Sequence, residues 1–116
     1  MEIKRLHLGK RLSEVTIHNG TVYLAGQIAS DATQDITGQT RDVLRQIDSL
    51  LADAGTDKTR ILMLQIFISD LANFPAMNEV YDAWIVQGHQ PPRATVEAKL
   101  ATPAHLVEIV VTAAQP

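Results

Sequence analysis

Apolar and polar residues alternate with a period of two over the first quarter of the chain. Ile3 to Leu8 alternates loosely, Glu14-Val15-Thr16-Ile17-His18 alternates cleanly, and Thr21 to Gly26 follows at once. Such alternation belongs to strands that bury one face. Asn19-Gly20 stands between the second and third runs. Both residues tolerate positive φ, so the dipeptide predicts a tight antiparallel hairpin of 14–18 with 21–26. The period then changes. Val43, Leu44, Ile47, Leu50, Leu51 and Ala54 recur at helical spacing, with Gly55 just beyond. This predicts a helix over 37–54 that ends on a glycine after its C-cap.

Ile61 to Ile68 is apolar at nearly every position, as in a strand covered on both faces. Phe74, Met77, Tyr81, Trp84 and Ile85 form a stripe that predicts a second helix over 73–87, a stripe that reads as core. Pro91-Pro92 forbids its continuation, because residues before proline are pushed out of the α region. Ala94 to Leu100 alternates again, Pro103 marks a turn, and Leu106 to Ala113 is a last apolar run broken by Glu108. The predicted order is β-β-β-α-β-α-β-β, an α/β (α+β) sheet with two helices on one face. The strands at 61–68 and 106–113 are apolar on both faces, yet no element is left to cover the second face. The simplest cover is another copy of the same chain, so a homo-oligomer is expected.

Composition narrows the function classes. With 116 residues, 46% of them hydrophobic, the chain fits one globular domain spanning 1–116. It has no cysteine, which excludes disulfides, thiolate metal sites and a cysteine nucleophile together. No run of 18 apolar residues exists, so no membrane partner is expected. The start Met1-Glu2-Ile3-Lys4-Arg5 has no apolar leader, and a cytoplasmic address follows as an expectation. Ten basic residues against 13 acidic give a net charge of −3, which argues against a nucleic-acid surface.

Candidate chemistry is sparse. His7, His18, His89 and His105 have no metal-ligand spacing. No phosphate-binding glycine loop and no GxSxG elbow is present. Two residues stand out. Arg93 follows Pro91-Pro92 and opens a strand, where it is either a surface charge or part of a small-ligand site shared with Glu108. Glu108 lies between Val107 and Ile109. An ionised carboxylate there must face water on an edge strand, a partner charge or a cleft. If the last two strands pair as a hairpin, Arg93 lies about four residues, roughly 13 Å, from the level of Glu108. If another strand intervenes, strand spacing alone separates them by roughly 9–10 Å. A site built from both within one chain is strained in either case, whereas a site between two chains brings them together.

These residues also carry a resemblance. Gly26-Gln27-Ile28, Gln39-Thr40 with Leu44, Ile47, Leu50 and Leu51, and Ala54-Gly55 are followed by Phe67-Ile68-Ser69-Asp70. Phe74, Met77-Asn78, Tyr81 and Trp84 come next, then Pro92-Arg93-Ala94-Thr95-Val96-Glu97 and Val107-Glu108-Ile109. In this order and spacing the chain resembles the RidA (YjgF-like, reactive-intermediate deaminase) family over nearly its full length. The resemblance implies a chorismate-mutase-like fold, a homotrimer with ligand clefts between subunits, and hydrolysis of 2-imino or enamine acids to 2-oxo acids and ammonia. It implies no cofactor and no metal. It assigns Arg93 to the substrate carboxylate and Glu108 to positioning the attacking water. The Thr95 main chain, Gly26 and Asn78 are assigned to the cleft. Where imine-deaminating members carry a tyrosine before the second strand, this chain has Arg11-Leu12-Ser13, and Ala25 stands where serine is frequent. A non-catalytic binder of small carboxylates in the same cleft is the alternative reading.

Overall fold

A computed structural model describes residues 2–116. Seven strands form one mixed sheet: β1 (Lys4–Leu8), β2 (Ser13–His18), β3 (Thr21–Leu24), β4 (Gln27–Ile28), β5 (Ile61–Ile68), β6 (Arg93–Glu97) and β7 (Val107–Ala114). Two helices, α1 (Ile36–Asp53) and α2 (Phe74–Trp84), complete the fold. The sheet order is β1-β2-β3-β7-β5-β6, with β4 also paired to β7. Asn19 and Gly20 have φ of 54° and 76°, as a two-residue hairpin turn with the strands' own twist requires.

Alternation decides the faces. Val107, Ile109, Val111 and Ala113 are buried, as are Leu64, Ile66 and Ile68 on β5 and Val15, Ile17, Val22 and Leu24 on the hairpin. They form one core with Val43, Leu44, Ile47 and Leu51 of α1 and Met77 and Tyr81 of α2. Both helices therefore cover one face, as the element order predicts. The other face carries Glu108, Val110 and Thr112, and it leaves Tyr23, Met63 and Val96 between 43% and 50% exposed. No helix among the described residues is long and apolar enough to cross a membrane.

Several boundaries differ from the sequence reading. The third strand stops at Leu24, and the chain resumes pairing as β4 further along β7. A two-residue strand leaves no periodic signal, so the pattern merges it with its neighbour. The second helix ends at Trp84, not 87, because Ile85 is already extended (φ −70°, ψ 143°). The sixth strand covers 93–97 rather than 94–100, since its β5 partner runs out at Ile68. The last two strands do not form a hairpin. β5 lies between them, parallel to β6 and antiparallel to β7. A strand–helix–strand unit with a helical crossover favours parallel neighbours, and β5-α2-β6 obeys that rule.

Gln39 of α1, fully buried, joins two loops to the helix. Its amide donates to the carbonyls of Gln34 (3.0 Å) and Ala104 (2.9 Å), and its Oε1 accepts from Leu106 N–H (2.9 Å). This amide fixes the approach to β7 and so the height at which Glu108 enters the sheet.

Candidate functional site

The sequence-derived residues fall into two groups on opposite faces. Arg93 pairs with Leu64, whose side chain faces the helices, and paired residues share a face. Its guanidinium carbon lies 4.7 Å from the Tyr81 ring centre and 5.8 Å from that of Phe74. Phe74, Asn78 and Tyr81 stand at i, i+4 and i+7 on α2, one face of that helix. The aromatic stripe read as core therefore has a second role, because two of its members form the bed on which the guanidinium rests. A planar cation stacks well on such rings, and the stacking holds its donors in a fixed fork. Burial pushes the Tyr81 phenol above its ordinary range, against the opposing pull of the Arg93 charge. The phenol therefore stays neutral and its ring serves as a platform.

Thr95 lies two residues along β6 on the same face. The β6 ladder uses Pro92 C=O to Leu64 N–H and Ala98 N–H to Ile68 C=O. Even-numbered positions thus point at β5, and alternation turns the Thr95 main chain toward the unpaired edge. Among the described residues, buried Asn78 Oδ1 and Thr95 Oγ1 have no hydrogen-bond partner. Buried polar atoms are rarely left so, because each costs about 1–3 kcal/mol. Together with the Arg93 guanidinium on the same face, these two atoms can hydrogen-bond a small polar ligand.

Glu108 stands on the other face. It pairs with Ile28 of β4 on one side and Phe67 of β5 on the other. Its carboxylate lies directly over Gly26, where an alanine Cβ would collide with Oε2 and come within 3.0 Å of Cδ. The missing side chain is what admits the carboxylate. Gly26 is itself held by neighbours on both sides. The Gln27 amide donates to Glu14 Oε2 (2.7 Å) and the Ala25 carbonyl (3.0 Å), and Gln46 donates to the Ile28 carbonyl (3.0 Å). Asp42 of α1 accepts from Ser30 N–H (2.8 Å) and Oγ (2.9 Å). Burial alone raises the Asp42 pKa, but hydrogen bonds from Gln46, Ser30 and Asp31 outweigh it and hold the carboxyl below its ordinary value. Nothing in the sequence marks Asp42, Gln46 and Gln27 as site supports, since polar residues within a helical or strand pattern give no periodic signal.

Leu64 faces both Arg93 and Val111, while Phe67 faces Glu108. Arg93 is thus level with Val111, three residues along and two strands across from Glu108. Strand dimensions put their backbones roughly 14 Å apart, and their side chains leave from opposite faces. One chain does not bring the two groups together. Among the described residues no cluster of three or more His, Asp or Glu that could hold a metal is present.

Comparison with known proteins places the chain in a family. The family model described as endoribonuclease L-PSP matches residues 2–115. A RutC family protein of Haemophilus ducreyi is 46% identical over 112 residues, covering 97% of this chain and 96% of the relative. The RutC family protein YoaB of Escherichia coli is 43% identical over 114 residues, covering 98% and 99%. Among solved structures, a YjgF family member from Neisseria meningitidis superposes with TM-score 0.97 at 40% identity, covering 100% of this chain and 97% of that one. A Rid family protein from Yersinia pestis does so with TM-score 0.85 at 34% identity, covering 92% and 90%. A family model that spans almost every residue, relatives of matching length and a shared fold leave one conclusion: the chain belongs to the endoribonuclease L-PSP family, the group that holds the YjgF, RutC and Rid proteins.

Proposed function

We propose that the chain is a hydrolytic deaminase of reactive 2-imino and enamine acids, working in a cleft between neighbouring copies of itself. The observation that carries this reading is the pair of complementary half-sites. A stacked guanidinium with two unsatisfied polar atoms lies on one face, and a carboxylate held against Gly26 lies on the other. The partly exposed apolar face around Tyr23, Met63 and Val96 supports assembly into a homotrimer.

In that cleft Arg93 takes the substrate carboxylate through two parallel charged hydrogen bonds. The free Thr95 main chain and Asn78 Oδ1 meet the remaining polar atoms of the substrate. Glu108 of the neighbouring copy accepts a proton from water as the oxygen attacks the C=N carbon. That proton passes to the nitrogen to give a carbinolamine, a second proton moves from its new hydroxyl through the same carboxylate to the nitrogen, the C–N bond breaks, and a 2-oxo acid and ammonia leave. One water is consumed, and the reaction needs no redox partner.

The test is to generate 2-iminopropanoate in situ and follow its loss. Decay faster than buffer supports the reading. Decay equal to buffer, with pyruvate still bound in an Arg93-dependent way, would make the chain a carboxylate binder instead. Gly26→Ala adds a check on the carboxylate's seat. The new methyl displaces a flexible side-chain end, so folding survives. Misplacing a catalytic group by about 1 Å costs on the order of tenfold or more in rate. Unchanged turnover in Gly26→Ala, with an unchanged denaturation midpoint, would argue against that seat.

A further inference from the structure

The turn between β1 and β2 lines a cavity of about 370 Å³ whose charged side chains are Arg5, Lys10 and Arg11, all basic. Gly9, Ser13 and Thr16 add polar lining. The turn is closed by Gly9 N–H to the Leu12 carbonyl at 2.8 Å, which sets Lys10 and Arg11 at its tip. The chain as a whole carries −3, so three cations around one cavity run against its overall sign. Among the described residues the ion pairs are His7–Asp53 and Arg45–Asp42, and neither involves these three cations.

Register places this cavity on the face that carries Glu108. Arg5 pairs with Thr16, Thr16 with Tyr23, and Tyr23 with Thr112, which stands four residues from Glu108 on the same face. Ser13 of the lining precedes Glu14, which is bonded to Gln27, the neighbour of Gly26. One intervening strand separates β2 from β7, a span of roughly 10 Å, and the long flexible stems of Lys10 and Arg11 cross part of it.

We infer that this basic turn binds a second anionic group at the far end of the substrate, so that the chain prefers 2-imino acids whose side chain carries a carboxylate or a phosphate. The inference rests on the deaminase reading for the identity of the substrate. Its chemistry is independent of turnover. An Arg and Lys cluster gives fork and point-charge donors to either anion. Exposed charge pairs each contribute modestly, and three cations acting together amount to about tenfold in affinity.

Binding of product-like 2-oxo acids by titration calorimetry at low salt tests it without requiring catalysis. The probes are pyruvate, oxaloacetate and 3-phosphohydroxypyruvate, against wild type and the double variant Lys10→Gln/Arg11→Gln. Both substitutions lie at an exposed turn tip and leave the core untouched. Wild type is expected to bind one or both of the doubly anionic acids about tenfold more tightly than pyruvate, and the double variant to bring that ratio near one. Which of the two gains more separates a carboxylate from a phosphate site. Equal affinity for all three acids in wild type, or a preference that survives in the double variant, overturns the proposal. Loss of the deaminase reading would appear elsewhere, as turnover indifferent to Glu108→Gln, and would leave these binding ratios unchanged.

Discussion

Glu108→Gln is expected to slow 2-iminopropanoate hydrolysis by about 10²- to 10⁴-fold, the usual contribution of a positioned acid–base group. The amide fills the same volume, so it keeps its seat over Gly26 and the fold is untouched. It cannot take a proton from water at neutral pH. The loss should therefore fall on kcat with KM nearly constant, the pattern of an interaction made only in the transition state. Steady-state kinetics with a matched denaturation curve checks both parts. A variant with wild-type kcat would remove Glu108 from the chemistry.

Arg93→Ala is expected to lower kcat/KM about ten- to a hundredfold, because charged hydrogen bonds to a carboxylate contribute about 1.5–3 kcal/mol. Here the loss should appear chiefly in KM. Arg93→Lys should recover only part of it. Lysine restores the charge but not the planar fork stacked on Tyr81 and Phe74. Binding of pyruvate followed by calorimetry gives the same comparison without turnover. Equal affinity in wild type and Arg93→Ala would show that the carboxylate binds elsewhere.

Much of this was legible in the sequence where one physical signal dominated. Asn19-Gly20 specified the hairpin because its turn needs two positive φ values, and both residues have them. The spacing of Val43, Leu44, Ile47 and Leu51 specified the buried side of α1. Arg93 and Glu108 were visible as charges in apolar surroundings, and the resemblance added Gly26, Asn78 and Thr95. What stayed hidden depends on pairing between distant segments. Nothing local told that β5 runs between β6 and β7, and so nothing local told that Arg93 and Glu108 leave from opposite faces. β4 was too short to leave a period. The hydrogen bonds of Gln39 and Asp42 join residues far apart in sequence, and the buried amide and carboxyl looked like ordinary polar positions on a helix.

The central claim is that each reacting centre takes its guanidinium from one copy of the chain and its carboxylate from the next. Unfolding and refolding an equal mixture of Arg93→Ala and Glu108→Gln protomers tests it most directly. In a randomly mixed ring, about one quarter of such shared sites regain both groups, so with substrate well below KM the mixture should recover about a quarter of wild-type kcat/KM, above the residual value of either parent. A refolded mixture no more active than its parents, in assemblies shown to contain both variants, would contradict it.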